Sequence, residues 1–314
     1  MEQPIRMKNN GQINIVLNNT KKKTTIIETP PEAFVHHLQE HELLREIEEE
    51  LSALVGMDEM KKIIKQIYAW IHVNKKREEK GLKASKQVLH MLFKGNPGTG
   101  KTSVARIIGK LFERMEVLSK GHLIEAERAD VVGEYIGQTA QKTRDLVKKA
   151  MGGILFIDEA YSLGRGGEKD FGKECIDTLV KHMEDSGNNF VLILAGYSSE
   201  MERFLNLNPG LVSRFPVIIE FPDYNVDQLM EIADKMLVEK EYVLSIDAER
   251  KIRNHLIWLK AIMTPKNFSN GRYIRNMIEK AIRVQAMRIL QNNTYEKNEL
   301  QLLKASDFEF EEDK

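Results

Sequence analysis

The chain has little cysteine, no excess of either charge and no long apolar run. Its 314 residues include one cysteine, Cys175, and 47 basic residues balance 47 acidic residues. One cysteine excludes a disulfide framework within the chain and favours a reducing compartment. The balanced charge excludes a strong general attraction to nucleic acid or acidic membranes. No apolar run reaches the length of a membrane span, and the polar N-terminus does not resemble a secretory signal. We therefore expect a soluble, cytoplasmic protein without membrane insertion or a nucleic-acid partner.

The most informative stretch is a glycine-rich loop that follows the apolar run 88–93 and precedes a helical pattern. Its sequence GNPGTGKT fits G-x-x-x-x-G-K-[ST], in the order of strand, loop and helix that a phosphate-binding loop requires. Such a loop turns backbone N–H groups toward phosphate oxygens, and the helix adds its positive end. Lys101 would reach the β- and γ-phosphates, and Thr102 would ligate Mg²⁺. The loop residues that we expect to bind nucleotide are Gly95, Asn96, Pro97, Gly98, Thr99, Gly100, Lys101, Thr102 and Ser103.

Strand and helix patterns alternate after the loop. Apolar residues within 104–115 recur at the spacing of one helix face. Further strands are predicted at 122–126, 153–157, 190–195 and 217–221, with helices at 139–151, 171–183 and 201–205. Strands joined by helical crossovers indicate an α/β fold, here a five-stranded parallel sheet with helices on both faces.

Four segments follow from these patterns. The predicted order is an N-terminal extension (1–41), the α/β nucleotide-binding domain (42–222), a small all-helical domain of three helices (223–303) and a charged tail (304–314). The extension is equally compatible with a small hairpin and with a disordered arm. His37 and His41 lie one helical turn apart, which can suit a metal, but no cysteine or acidic partner is arranged nearby, so solvated histidines are favoured.

Two acids end the third predicted strand. Asp158 and Glu159 follow the apolar run 154–157, and the carboxyl ends of parallel strands meet where ligands of open α/β sheets bind. Asp158 can therefore hold Mg²⁺ together with Thr102. Glu159 can polarise the water that attacks a γ-phosphate.

Three arginines are further candidates. Arg214 precedes the last predicted strand, and Arg272 and Arg275 begin the last helix. A guanidinium is planar, permanently charged and bidentate, which suits it to phosphate. From spacing alone, each arginine could equally form a surface ion pair of little energetic value.

The loop after the second strand carries exposed apolar character. It contains Tyr135, Ile136 and Gly137 within GEYIGQT. The loop could fold back onto the core, or it could form a mobile finger that contacts another polypeptide.

Together these motifs resemble those of the AAA+ ATPases. The strings that carry the resemblance are, in chain order, GNPGTGKT, GGILFIDEAYSL, LAGY, NPGLVSRF and GRYIR. Their joint wording is similar to the CbxX/CfqX branch, which includes the red-type Rubisco activases, over roughly residues 42–300. Within that branch the wording is most similar to a spore-formation protein of bacilli, which implies a role in that process.

The resemblance implies a hexameric ring of identical subunits with ATP at each junction. Lys101 and Thr102 would be Walker A residues, and Asp158 and Glu159 Walker B residues. Arg214 would reach the neighbour's ATP. The remaining implied roles are a lid sensor at Arg272, adenine contacts at Leu54, Val55 and Gly56, and a pore loop at Tyr135, Ile136 and Gly137 that grips a threaded polypeptide.

One departure concerns the end of the fourth strand. Many relatives carry a polar Asn or Thr there, whereas this chain reads Ala195-Gly196-Tyr197-Ser198, so the residue that positions the attacking water from that strand is left open. The expected function is an ATP-driven remodeller of an unidentified protein substrate. The alternatives are a nucleotide-dependent scaffold or switch, and a DNA-handling machine.

Overall fold

The computed structural model describes residues 42–84, 88–135, 137–165, 170–262 and 268–310. The predicted extension 1–41, with its two histidines, and Ile136 of the predicted pore loop lie outside the described residues.

A five-stranded parallel sheet forms the centre, in the spatial order β2-β3-β4-β1-β5. The strands are β1 (Met91–Gly95), β2 (Leu123–Ala126), β3 (Ile154–Ile157), β4 (Val191–Gly196) and β5 (Val217–Phe221). The predicted fold class is confirmed. The three inner strands β3, β4 and β1 are buried at every position, because helices cover both faces of a parallel sheet. The edge strand β5 alternates between buried and exposed positions.

Helices connect the strands and flank the sheet. They are α1 (Glu42–Ser52), α2 (Asp58–Glu79), α3 (Lys101–Arg114), α4 (Arg128–Val131), α5 (Gln138–Ala150), α6 (Gly172–Ser186), α7 (Ser198–Leu207) and α8 (Pro209–Val212). Helix α3 buries Val104, Ile108 and Leu111, which confirms the predicted apolar face. A 3-10 helix, Ala160–Gly164, follows β3.

The C-terminal part contains the three predicted helices with short additions. The helices are α9 (Val226–Glu239), α10 (Ile246–Ile262) and α11 (Asn270–Asn292). The sequence does not predict the parallel pair β6 (Val243–Leu244) and β7 (Leu302–Leu303) or the helix α12 (Lys297–Gln301). Two-residue strands are too short to show a period-2 pattern, so the expectation of an all-helical domain misses them.

The described end of the chain corrects the prediction of a separate charged tail from residue 304. Phe308 and Phe310 are buried with the apolar side chains of α10 and α11. Arg288 on α11 forms two hydrogen bonds, of 2.8 and 2.9 Å, with the carboxylate of Asp307. The charged residues dominate the composition of this stretch, but two phenylalanines decide its packing because their burial removes large apolar areas from water.

Cys175 is fully buried in the core between α6 and the sheet. Burial raises the pKa of its thiol to about 11, which confirms its interpretation as a small hydrophobe. Within the described residues, every helix is too short or too polar to span a bilayer.

Candidate active site

A cavity of about 470 Å³ opens at the carboxyl edge of the sheet, between the phosphate loop, the segment before α2, and helices α9 and α11. The predicted loop residues that line it are Pro97, Gly98, Gly100, Lys101, Thr102 and Ser103. Gly98 and Gly100 have φ of +69° and +93°, a region that glycine enters without steric penalty. A Cβ on Gly98 would collide with the Ser269 carbonyl, and one on Gly100 would lie 2.8 Å from Met57 Cε. The loop therefore needs glycine at both positions.

Three predicted loop residues brace the loop and do not line the described cavity. The space beside Gly95 is filled by the Phe221 carbonyl. Asn96 Nδ2 donates to both carboxylate oxygens of Asp223 at 3.0 Å. Thr99 Oγ1 donates to the Asn96 carbonyl at 2.8 Å. These contacts fix the loop backbone before any ligand arrives.

The side chain of Lys101 folds back onto the backbone of its own loop. Its Nζ donates to the carbonyls of Gly95 and Asn96, at 2.9 and 2.8 Å. Burial lowers the pKa of this ammonium, and the carboxylate of Asp158 opposes that shift. In the described part of the chain, the backbone N–H groups of Gly98 and Gly100 have no intramolecular acceptor. Free N–H donors beside an ammonium form a cradle for an anion such as phosphate.

The two predicted acids line the same cavity at the end of β3. Asp158 Oδ1 accepts a hydrogen bond from the Glu159 backbone N–H at 2.9 Å. Glu159 has φ +47° and ψ +40°, a left-handed conformation that costs a non-glycine residue about 1–3 kcal/mol. Such strain persists only where surrounding contacts fix it, and it concentrates at functional positions. The strained residue is the one expected to polarise water.

Hydrogen bonds join helix α11 directly to the phosphate loop. The Gly271 N–H donates to the Gly98 carbonyl at 3.0 Å, and Asn270 Nδ2 donates to Asp223 at 2.7 Å. Tyr224 donates from its N–H to Asn270 Oδ1 and from its hydroxyl to the Thr99 carbonyl, both at 3.0 Å. A shift of α11 must therefore disturb the loop.

Sequence reasoning missed this connection. Asp223 and Tyr224 directly follow β5 at the ligand-binding edge, and that position was the available signal. Nothing in the local pattern singles out Asn270, which is fully buried although it is polar.

Apolar side chains of two elements also line the cavity. They are Leu54 and Val55 before α2, and Ile232 and Met236 of α9, a helix that also contributes Lys235 and Glu239 to the lining. Lys235 Nζ donates to the Ala53 carbonyl at 2.9 Å and so holds the segment before α2 against α9. Gly56, also predicted, does not line the described cavity, and its φ of +62° turns the chain toward α2. A cavity lined both by apolar side chains and by a cradle for phosphate suits a nucleotide, which has an apolar base face and charged phosphates.

The arginines divide into two groups. Arg272 and Arg275, one turn apart on α11, both line the cavity and face the loop that carries Lys101. Arg214 is not among the described residues that line the cavity. It lies between α8 and β5, where Glu184 and the Gly210 carbonyl accept its hydrogen bonds. Arg214 therefore does not face the nucleotide cavity of its own subunit.

Tyr197 also lines the cavity, beside Gly196. Its ring centre lies 5.7 Å from that of Tyr161. A Cβ on Gly196 would lie 2.7 Å from Tyr161 Cδ1, so the glycine leaves the space that Tyr161 occupies. Burial, with the charge of Glu159 second, raises the pKa of the Tyr161 hydroxyl. Tyr161 and Tyr197 thus pack against each other at the end of β4, where the sequence leaves the water-positioning residue open.

The Tyr135 loop has an exposed tip on a fixed base. Tyr135 is 68% exposed, so it does not fold back onto the core. At the base, Thr139 Oγ1 accepts from the Gly133 N–H at 2.9 Å, and Thr143 Oγ1 donates to the Val131 carbonyl at 3.1 Å. Gly137 has φ +82° and open space around it.

Two family models match the chain. The family model for "ATPase family associated with various cellular activities (AAA)" matches residues 91–223, and the model for "AAA lid domain" matches residues 225–314. Stage V sporulation protein K of Bacillus subtilis (strain 168) is 63% identical over 316 residues, which cover 100% of this chain and 98% of that protein. The chain belongs to the AAA+ ATPase family. It therefore binds nucleotide and hydrolyses ATP.

Other relatives place this ATPase in the CbxX/CfqX branch, as its motifs predict. Protein CbbX of Cereibacter sphaeroides is 43% identical, over 79% of each chain. The chloroplastic ribulose bisphosphate carboxylase/oxygenase activase of Cyanidioschyzon merolae is 42% identical, over 80% of this chain and 84% of that protein. The crystal structure of the FIGL-1 AAA domain in complex with ADP superimposes on this chain with a TM-score of 0.56. The superposition covers 81% of this chain and 80% of the FIGL-1 chain at 18% sequence identity, so it shows the fold alone.

Proposed function

We propose that this ATPase forms a hexameric ring and uses ATP hydrolysis to remodel a protein substrate in the cytoplasm during spore formation. The observation that carries the proposal is Tyr135, an exposed aromatic side chain on a loop whose base is tied to buried threonines. A rigid base transmits the movement of the domain to the tip, and an aromatic tip can grip many different sequences.

The cavity suits ATP and Mg²⁺. Mg²⁺ takes few protein ligands because phosphates and waters supply the rest. The Thr102 hydroxyl and the Asp158 carboxylate line the cavity together and would hold the ion, which would neutralise phosphate charge. The described residues contain no cluster of three or more histidine, cysteine or acidic side chains fit for a metal.

The residues around the cavity divide the chemistry between them. Lys101, Arg272 and Arg275 place positive charge around the phosphates, and Glu159 accepts a proton from the attacking water. The backbone hydrogen bond from Gly271 to Gly98 makes the position of α11 depend on the conformation of the loop. Nucleotide state is thereby converted into lid movement.

Arg214 completes the site of a neighbouring subunit in this proposal. Its position outside its own cavity supports a role in trans, since an arginine aimed at another subunit need not face its own nucleotide. The relative named as a Rubisco activase acts, by its name, on another protein, and this supports a protein as the substrate here.

Tyr135→Ala tests the remodelling role. We expect ATP binding and ring assembly to persist, while polypeptides no longer crosslink to the pore of a Glu159→Gln ring that binds ATP without hydrolysing it. Tyr295→Ala is the matched control, because Tyr295 is also exposed, at 56%, but lies in the lid.

Unchanged crosslinking in Tyr135→Ala would favour a nucleotide-dependent scaffold or switch. ATPase activity that rises with DNA and falls steeply with salt would favour a DNA-handling machine.

A further inference from the structure

The guanidinium of Arg214 is already held at three of its nitrogens within its own subunit. Arg214 Nε donates to Glu184 Oε1 at 3.0 Å, and Nη2 donates to the same oxygen. Nη1 donates to the Gly210 carbonyl. A guanidinium has five N–H groups, so among the described residues one N–H on each terminal nitrogen remains for another acceptor.

The segments that carry Glu184 and Arg214 are both held in place by the core. Glu184 lies in the last turn of α6, which packs on the sheet through Leu179 and Met183. The Arg214 N–H donates to the Leu211 carbonyl at 2.9 Å, and the next residue, Phe215, is 2% exposed. The arginine backbone and the helix that carries Glu184 are thus each anchored in the core, and they are distant in sequence.

The pair itself is too exposed to matter greatly for folding. The side chains of Arg214 and Glu184 are 31% and 57% exposed, and exposed ion pairs contribute little to stability. An ordered arginine has another advantage, because a side chain fixed before the reaction loses less rotamer entropy when it binds the transition state.

We infer that Glu184 is a positioning residue for hydrolysis, which orients Arg214 so that its two remaining N–H groups point toward the γ-phosphate of a neighbouring subunit. The inference rests on the proposed action of Arg214 in trans. It adds a residue that touches neither nucleotide nor water and acts through the arginine alone.

Glu184→Ala removes both of its hydrogen bonds to Arg214. It should lower kcat by about tenfold or more, since even one charge-assisted hydrogen bond is worth a factor of that order, with an unchanged KM for ATP. Glu184→Gln should retain most of the turnover, because its amide oxygen can accept from the same two nitrogens. Asp185→Ala, one residue further on α6, is the matched control for charge and should behave as wild type. The melting temperatures of all three variants should match that of wild type. A clearly lower melting temperature of Glu184→Ala would contradict a surface positioning role.

Mixed rings separate this inference from the proposal beneath it. Lys101→Ala subunits supply an intact Arg214–Glu184 pair but cannot bind ATP. Mixing them with Arg214→Ala or with Glu184→Ala subunits should restore part of the turnover in both cases. No recovery with Arg214→Ala would overturn the action in trans. The role of Glu184 would be overturned if mixing restores the turnover of Arg214→Ala and one of two further results is found. The first is that Glu184→Ala alone turns over as fast as wild type or faster. The second is that mixing does not restore the turnover of Glu184→Ala.

Discussion

A buried histidine makes the stability of the α/β domain depend on pH. His90 directly precedes β1 and is 1% exposed. Its Nδ1 accepts a hydrogen bond from the Leu192 N–H at 2.9 Å, and its ring lies 5.5 Å from that of Phe190 and 6.2 Å from that of Phe215. Burial lowers the pKa of this imidazole from 6.5 to about 4, so it is neutral in the folded protein at neutral pH.

The direction and size of the effect follow from proton linkage. The unfolded chain binds a proton at His90 below about pH 6.5, whereas the folded chain does so only below about pH 4. The contribution of neutral His90 to the free energy of unfolding is therefore complete above about pH 6.5 and is lost as the pH falls toward 4. About 1.4 kcal/mol is lost at about pH 5.5, and about 3 kcal/mol once both states are protonated.

His90→Asn isolates this term, because asparagine cannot titrate yet can still accept the hydrogen bond from the Leu192 N–H. Urea unfolding is measured at about pH 8 and about pH 5.5. Fluorescence is followed in a Trp258→Phe background, where Trp70 of α2 remains as the sole tryptophan. Wild type should lose about 1.4 kcal/mol more between the two conditions than His90→Asn does.

His182→Asn, at a partly exposed position, serves as the control for loss of an imidazole. An equal pH dependence in wild type and His90→Asn would refute the reasoning, since it would show that burial does not keep His90 neutral.

Three further predictions concern the site and the end of the chain. Arg214→Ala should lower turnover by about 10³–10⁵, as for other trans-acting arginines, while equilibrium ATP binding stays intact; near wild-type turnover would remove Arg214 from the mechanism. Lys101→Ala should lose ATP binding, measured by calorimetry, together with turnover, and tight binding would count against its place in the phosphate cradle. Asp307→Ala should lower the free energy of unfolding by about 2 kcal/mol, because it leaves the largely buried Arg288 without its main partner. Asp247→Ala, which breaks an exposed pair with Arg250, should cost less than about 0.5 kcal/mol in the same denaturation assay.

The strands and the two acids could be predicted from the sequence because their signals are local. The inner strands form continuous apolar runs, and Asp158 and Glu159 stand at the carboxyl end of one of them, where the chemistry of an open α/β sheet is found. The short β6–β7 pair and the packing of Phe308 and Phe310 could not be predicted, because each depends on a distant partner and leaves little periodicity of its own.

The sequence by itself determined that a glycine-rich loop of the form G-x-x-x-x-G-K-[ST] follows a strand of a parallel sheet, because glycines at 98 and 100 and the runs beside them act over a few residues. Only the tertiary structure decided how that loop is connected. Asp223 accepts from Asn96 and from Asn270, which are 127 and 47 positions away along the chain. Packing likewise turned Arg214 toward Glu184, 30 positions away, and not into its own cavity. Such contacts are selected by the burial of whole helices against the sheet, and no local pattern encodes them.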